Sequence, residues 1–398
     1  MGSAEVASPS LAQLGRPLVE CELRGEPRVV GRLAGALGRV SSAVDARLGE
    51  TVEVFVEVAG RLDGRRVLFS EDGARGHVSW VDSGCPPAEL RWQRVEPTME
   101  HVTTEGPNPG SSIYANAVMF GPRHGAWIGY DKLEYNASPV DDADDLWSWS
   151  VAEARPSESE LMRSRGAGME HLGVMRLSVS ITPALGEVRR SAGAEARRRG
   201  GISEDVFRYT VRGGDDVFGW LTTFFNVPYV FGSAGVGVRS QAERYIGADC
   251  ADVIVAALRR AGHRDFAYTS VAGLIRELPR ASEPIVVSTS PGESAAATSD
   301  YRPAPGDILA IDYIGATSLP RPWDHVVVLV EDRGPGGEAD GVLGPEDQVA
   351  DIGDARGLRF SALGDQGRVR VLPLRPKPRS ASTASSSSDP CSPAGACP

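Results

Sequence analysis

Long apolar runs are missing from this sequence. It contains no stretch of about 18 or more consecutive apolar residues, the length that a helix needs to cross a membrane. The first residues, from Met1 to Glu5, also lack the basic start and the apolar block of an intact secretory signal. The sequence therefore predicts a protein with no membrane span, which either stays in the cytoplasm or has lost its signal.

Lysine is nearly absent. Lys132 and Lys377 are the only lysines, and arginine supplies the rest of the 42 basic residues. Aspartate and glutamate together number 53, which gives a formal net charge of −11 at pH 7. Binding of nucleic acid needs a basic surface, and the arginines here are scattered along an acidic chain. We therefore expect no nucleic-acid partner.

Cysteine is scarce, and five is an odd number, so at least one cysteine stays free or pairs between chains. The wide spacing predicts no disulfide framework, although Cys391 and Cys397 could bridge each other in an exported protein. No cysteine pair has histidines at the spacing of a zinc site, so the sequence predicts neither a metal nor a cofactor. The remaining histidines are interpreted as structural or surface residues: His77, His101, His124, His171 and His263.

At 398 residues the chain is long enough for two domains. Apolar and polar residues alternate over short segments such as 51–58 and 174–181, and this pattern is typical of an antiparallel β-sandwich or barrel. Helix and strand patterns alternate after an arginine- and glycine-rich stretch, and a broad apolar face predicts a helix near residues 215–225. The predicted parts are a flexible lead (1–17), a β-rich domain (18–190), a linker (191–205), a second domain (206–376) and a disordered Pro/Ser/Ala tail (377–398).

Cys250 lies directly before the apolar run 253–258, which predicts a helix over residues 249–261 that ends at Gly262. The sulfur would then lie in the first turn of this helix. Unpaired amides and the helix dipole at that end favour a thiolate, which is the nucleophilic form of cysteine. Cys250 is thus a candidate nucleophile, and the alternative is a buried structural cysteine.

His325 begins a strongly apolar strand, and a strand end is a rigid position for a general base. The alternative is a structural histidine in the core or at a sheet edge. A third group must orient the imidazole ring, and Asp351 on the next predicted strand can do so. Asp351 could instead be a turn carboxylate, because Gly353 follows closely. Asp324 competes for the same role, but neighbouring residues on a strand point to opposite faces.

Three short blocks, taken in order, resemble the NlpC-type family of bacterial cell-wall cysteine peptidases. Residues 227–232, Val-Pro-Tyr-Val-Phe-Gly, resemble the family's Pro-Tyr-x-Trp-Gly-Gly motif. Asp249-Cys250 resembles its Asp-Cys-Ser-Gly motif. Residues 305–309, Pro-Gly-Asp-Ile-Leu, followed by 324–328, Asp-His-Val-Val-Val, resemble its Pro-Gly-Asp strand and its His-Val-Gly strand. The resemblance covers the C-terminal half only and says nothing about residues 1–190.

The resemblance implies an α+β protein in which a papain-like domain, with a helix packed on an antiparallel sheet, follows the β-rich domain. It implies that Cys250 is the nucleophile, His325 the base and Asp351 the third catalytic residue. It further implies that Tyr229 lines the site and that Asp249 binds the free amine of a peptidoglycan stem peptide. The implied partner is peptidoglycan or another peptide, and the implied location is the cell envelope or the exterior.

The chain departs from the family pattern beside the nucleophile. Ala251 and Asp252 replace the Ser-Gly that follows the family's cysteine, and Ser233 replaces the second glycine of the tyrosine motif. These departures put specificity for stem peptides in doubt. The leading hypothesis is therefore a cysteine hydrolase of peptide amides, and two alternatives stay open. One is a cysteine-dependent acyltransferase or deamidase, and the other is an inactive binding scaffold.

Overall fold

The computed structural model describes most of the chain between residues 19 and 376. No helix within this described part is long and apolar enough to cross a membrane. The predicted flexible lead, the predicted disordered tail and Asp324 all lie outside it. The described residues are 19–36, 39–74, 76–98, 114–115, 128–129, 133–154, 169–198, 201–234, 241–290, 300–315, 323, 325–353 and 357–376.

The N-terminal half consists of strands, which are β1 (Cys21–Leu23), β2 (Arg28–Leu33), β3 (Ala43–Arg47), β4 (Val52–Leu62), β5 (Arg65–Phe69), β6 (His77–Val78), β7 (Ala88–Thr98), β8 (Tyr114–Ala115), β9 (Ile128–Gly129), β10 (Glu134–Pro139), β11 (Ser148–Val151), β12 (Gly173–Pro183), β13 (Arg189–Arg190), β14 (Arg197–Arg198), β15 (Gly201–Ile202) and β16 (Phe207–Arg212).

The C-terminal half contains α1 (Val217–Leu221), β17 (Val230–Phe231), α2 (Cys250–Arg260), α3 (Val271–Glu277), β18 (Ile285–Val287), β19 (Ile308–Tyr313), β20 (His325–Glu331), β21 (Gln348–Asp351), β22 (Arg359–Ala362) and β23 (Val369–Leu374). Single turns of 3-10 helix lie at Asp141–Ala143, Thr222–Phe224 and Leu363–Gln366.

Two six-stranded sheets form most of the N-terminal half. One has the order β1-β4-β5-β6, with β2 and β11 also paired to β4. The other has the order β10-β7-β12-β16-β3, with β13 also paired to β12. Alternate residues of a strand face the same side of its sheet, and the inward-facing ones form a shared core that includes Val54, Trp92, Leu177 and Phe207, each 0% exposed. The predicted β-rich character of this half agrees with these strands.

Strand β16 lies beyond the linker that was predicted over 191–205. It nevertheless pairs with β12 in antiparallel register and with β3 in parallel register, so that Tyr209 lies between Met175 and Val44. Inside the predicted linker, β14 and β15 pair with each other, and the Ser191 amide donates to the Val179 carbonyl. The N-terminal sheets therefore take in residues up to the end of β16.

A third six-stranded sheet forms the centre of the C-terminal half, in the order β18-β23-β19-β20-β21-β22, with every neighbouring pair antiparallel. Its strands are apolar on both sides. Val326 and Val328 pack with helix α2 in the main core, whereas Val327 and Leu329 pack in a second cluster on the opposite face. Both faces are buried, which explains the unbroken apolar sequence of β20.

The predicted fold class is wrong. The sequence predicted an α+β protein with a papain-like domain, but the described residues are about 40% strand and 12% helix, so the fold is mostly β. The broad apolar face near residues 215–225 predicted a full helix, yet α1 has only five residues before a 3-10 turn. A segment buried between sheets has as many apolar residues as a helix with a broad apolar face. The local sequence pattern therefore predicted more helix than the structure contains.

Partly buried arginines join the two halves. Arg260, in the last turn of α2, reaches Asp45 on β3 at 3.4 Å, and Arg208 on β16 donates to the same carboxylate at 2.8 Å. Burial alone would raise the pKa of Asp45, but the two arginines outweigh it and hold that pKa below its usual value. The guanidinium of Arg260 also lies over the Tyr245 ring at 4.5 Å. Helix α2 is therefore fixed against the N-terminal sheet.

A disulfide joins Cys21 on β1 to Cys85, which lies just before β7. The expectation that the cysteines form no disulfide framework missed this bridge, because the two positions are 64 residues apart in the sequence. Cys250 is the free cysteine among the described residues.

Phe207→Ala tests whether β16 belongs to the N-terminal core. Phe207 is fully buried, so truncation should lower the free energy of unfolding by about 3–5 kcal/mol. Urea unfolding followed by tryptophan fluorescence measures this change, and Leu185→Ala, at an 88% exposed position, serves as the control. A loss below about 1 kcal/mol would show that β16 does not carry the core.

Candidate active site

The nucleophile candidate lies at the start of a helix, as the sequence predicted. Cys250 is the first residue of α2, and Asp249 caps the helix. One carboxylate oxygen of Asp249 accepts the amides of Ala251 at 3.0 Å and Asp252 at 2.9 Å. These bonds satisfy two of the free amides of the first turn and fix the direction in which the Cys250 side chain leaves the helix.

The same carboxylate fixes the tyrosine motif. Its second oxygen accepts the Gly232 amide at 2.8 Å, and Tyr229 forms a parallel β-bridge with Ala248. Gly232 has a φ of +69°, a conformation that favours glycine. A side chain at Gly247 would meet the Val230 side chain at 2.2 Å. The motif residues 228–232 are therefore packed directly against the start of α2.

His325 and Asp351 lie on neighbouring antiparallel strands, β20 and β21. Their side chains are joined by a hydrogen bond of 2.7 Å between Nε2 of His325 and Oδ1 of Asp351. Both residues are buried, at 8% and 3% exposure. The structure thus places the two sequence-predicted partners in contact, and the bond to Asp351 leaves Nδ1 of the ring for another group.

The Cys250 sulfur lies close enough to the His325 ring for the two groups to interact electrostatically, which places the thiol beside the imidazole in a Cys–His–Asp chain. Burial raises the pKa of the thiol, and the neighbouring imidazole opposes this rise by favouring the thiolate. Burial also opposes the imidazolium form of His325. The Cys250 sulfur and the Asp351 carboxylate outweigh that effect and raise the pKa of His325 well above its usual value. The pair is therefore arranged to share one proton.

Two side chains besides His325 contact the Asp351 carboxylate. Its second oxygen accepts the Gln366 side-chain amide at 3.0 Å and lies 3.5 Å from the Arg359 guanidinium. Burial would raise the pKa of Asp351, but its bond to His325 and these partners hold it below the usual value. A carboxylate that stays ionised can stabilise an imidazolium, which is the role of the third member of such a chain.

Sequence reasoning missed Gln366, Arg359 and a third residue, Tyr313, whose ring stacks on the His325 ring with centroids 6.4 Å apart. Arg359 and Gln366 follow Asp351 in the chain, and Tyr313 precedes His325, but no local motif marks any of them. The pairing of β19, β20, β21 and β22 brings all three to the site.

Tyr229 lies close to the nucleophile. It is half-buried, and burial together with the nearby Cys250 raises the pKa of its hydroxyl well above the usual value. Asp249 does not extend freely into the site, because three backbone amides occupy its carboxylate. The structure therefore places Asp249 as a helix cap beside Cys250, whereas the resemblance implied an amine-binding group.

Two of the departures from the family pattern, Ser233 and Asp252, contact each other. Ser233 Oγ donates to Oδ2 of Asp252 at 2.6 Å, and the Ala234 amide donates to the same oxygen at 2.8 Å. Burial and the adjacent Asp249 raise the pKa of Asp252 to about 8. A serine and an aspartate thus stand where the pattern has two glycines, and their contact ties the tyrosine motif to α2 a second time.

An oxyanion-binding group is available beside the sulfur. No hydrogen-bond partner for the Cys250 backbone amide occurs among the residues that the structure describes. The cap bonds of Asp249 leave this amide out and take the next two. A free amide at the helix start can stabilise the negative oxygen of a tetrahedral intermediate.

Comparisons with protein-family models, with curated proteins and with solved structures gave no match to this chain. The chemistry of the site is therefore argued from its geometry. A thiol, an imidazole that can take its proton and a carboxylate that orients the imidazole form the arrangement needed for nucleophilic catalysis.

Asp351→Asn should lower the pKa of His325, because the variant removes the negative charge that stabilises the imidazolium. A loss of about 1.4 kcal/mol in that interaction corresponds to one pKa unit, and we expect at least this shift. An NMR titration of the His325 ring measures it. Asp312→Asn, which removes the partner of Arg370 on the same sheet, is the matched control. An unchanged His325 pKa in Asp351→Asn would contradict the orienting role.

Proposed function

We propose that this protein is a cysteine hydrolase that cleaves peptide amide bonds. The observation that carries the proposal is the buried chain from Cys250 through His325 to Asp351. The helix cap supplied by Asp249 and the charge of Asp351 support the assignment of a nucleophile, a base and an orienting group. No metal or organic cofactor enters this chemistry.

The proposed reaction has two stages. The Cys250 thiolate attacks the amide carbonyl, and the Cys250 backbone amide donates to the oxyanion that forms. The imidazolium of His325 then protonates the leaving amine, which leaves a thioester on Cys250. Neutral His325 next removes a proton from water, the resulting hydroxide cleaves the thioester, and the thiol is restored. Asp351 holds the ring in one orientation through both stages.

Peptidoglycan stem peptides are the proposed substrate class. This part rests on the resemblance of three short blocks to NlpC-type cell-wall peptidases and not on the fold. Tyr229 would line the substrate channel beside Cys250. A location in the cell envelope or outside the cell belongs to the same proposal, and the Cys21–Cys85 disulfide supports it because disulfides persist in oxidising compartments.

An acyltransferase is the second candidate, and one observation favours it. Cys250 and His325 are each only 8% exposed, so water reaches the thioester with difficulty and a bound amine could compete as the acyl acceptor. The first stage is the same as for the hydrolase. The two reactions differ in the group that releases the acyl chain from Cys250.

Digestion of purified cell wall separates these functions. The unaltered protein should release soluble stem-peptide fragments, and Cys250→Ala should release none, because the variant lacks the nucleophile. Liquid chromatography with mass spectrometry identifies the products, and fragments joined to an added amine would identify a transferase. A thioester trapped with a peptide ester but no wall cleavage would overturn the peptidoglycan part alone.

The reactivity of Cys250 tests the catalytic assignment without any substrate. His325→Ala should slow alkylation of Cys250 at pH 7 by at least about tenfold and move the rate profile to higher pH, because His325 opposes the rise in the thiol pKa. The labelling rate is measured against pH by mass spectrometry in protein with Cys391 and Cys397 replaced by serine.

His171→Ala provides the control for this labelling, since His171 pairs with Glu153 and its side chain is 48% exposed. Equal rates in the parent and in His325→Ala, with an ordinary thiol profile near pH 8.5, would contradict the catalytic assignment and favour an inactive binding scaffold.

A further inference from the structure

Three potential metal ligands converge in the N-terminal half, far in sequence from the Cys250 site. Glu57 lies on β4, Asp72 in the turn after β5, and His77 at the start of β6. One ligand atom of each lies within 4.8 Å of the other two. The parallel pairing of β5 with β6 brings His77 level with Leu68, and the antiparallel pairing of β4 with β5 brings Glu57 beside them.

Glu57 is the unusual member of this cluster. It is 8% exposed, and its carboxylate has no hydrogen bond or ion pair with any residue that the structure describes. Burying an ionised carboxylate without a partner is costly, so such groups are normally paired or bound to a metal. Arg28, its cross-strand neighbour, is exposed and forms no ion pair with it.

The rest of the cluster also has free ligand capacity. Nδ1 of His77 and Oδ1 of Asp72 are 2.6 Å apart, while Oδ2 of Asp72 has no partner among the described residues. Ser70 directly follows Phe69, the last residue of β5, which pairs with Val58 on β4. The hydroxyl of Ser70 is buried without a hydrogen bond. Every one of these polar atoms is on the strands or turns around Glu57.

No arginine among the described residues forms an ion pair with either carboxylate. Arg32 reaches Asp72, but it donates to the backbone carbonyl of Asp72, and its Nε pairs with Glu53. The Asp72 side chain is 2% exposed, whereas that of His77 is 20% exposed. The cluster is thus a buried, doubly acidic site with one imidazole at its opening to solvent.

We propose that Glu57, Asp72 and His77 bind a zinc-class divalent transition-metal ion. Two carboxylates balance the charge of such an ion, and the imidazole favours it over Ca²⁺ and Mg²⁺, which prefer oxygen ligands alone. Zinc ligands at about 2.0–2.2 Å from the ion stand closer together than 4.8 Å, so small side-chain rotations would complete the site. The Ser70 hydroxyl or a water supplies a fourth ligand.

The ion would join β4 to the turn between β5 and β6. A bound ion stabilises the folded state by RT ln(1 + c/Kd), where c is the free ion concentration, so the stabilisation grows with the logarithm of that concentration once it exceeds Kd. The proposal is independent of the proposed hydrolase function, because none of its ligands contacts the Cys250 site.

Zinc binding by the full-length, untagged, disulfide-intact protein tests the proposal. The protein carries Cys250→Ala, so that the thiol cannot bind the ion. Equilibrium dialysis with metal analysis should give one Zn²⁺ per chain, and Glu57→Gln and His77→Ala should each weaken binding at least about tenfold. His171→Ala, in a surface pair with Glu153, is the matched control and should bind as the parent does.

A spectroscopic measurement on the parent covers the case in which a variant fails to fold. Co²⁺ bound at this site should show visible d–d bands from nitrogen and oxygen ligands, and Zn²⁺ should raise the thermal unfolding midpoint. Zinc binding that survives in both folded variants, or no zinc binding by the parent protein, would overturn the proposal. Cobalt spectra without d–d bands would overturn it as well.

Discussion

The carboxylate of Asp249 is the constraint on which the candidate active site depends. Its oxygens accept three backbone amides, two from the first turn of α2 and one from Gly232. One buried side chain therefore sets where the helix begins and where the tyrosine motif lies. Without it, neither the direction of the Cys250 side chain nor the position of Tyr229 would be fixed. The cap thus positions the helix and also leaves the Cys250 amide free to bind an oxyanion.

Burial controls the acid–base behaviour of this site. Low exposure disfavours every isolated charge, so the thiol, the imidazole and the carboxylates near α2 can ionise only in combination. Cys250 and Asp351 raise the pKa of His325 and so favour its charged form. His325, Arg359 and Gln366 lower the pKa of Asp351 and so favour its ionised form. The pKa of Asp252 is raised instead, because this carboxyl is buried beside Asp249. Neighbouring carboxylates thus differ because their partners differ.

The architecture shows why local pattern misjudged the fold class. Helix α2 was predicted closely, because a capping aspartate, an apolar run and Gly262 mark its ends. The strands β4 and β20 were also evident from their apolar residues. The helix predicted around 215–225 is shorter in the structure, where the apolar residues of α1 and the following 3-10 turn contact β12, β16 and α2. Pairings across long separations, such as β16 with β3, have no local signature, and they extend the N-terminal sheets past the predicted linker.

The sequence by itself determined the nucleophile, the base and the third residue as candidates, because each carries its own local signal: a helix start, a strand start and a strand end. Only the tertiary structure decided that these three side chains meet, that Asp249 is occupied as a cap, and that Ser233 and Asp252 form a pair. It also brought Glu57, Asp72 and His77 together, although the sequence had assigned His77 a structural or surface role. The physical reason is that sheet register, which is set by packing over the whole core, controls which distant side chains become neighbours.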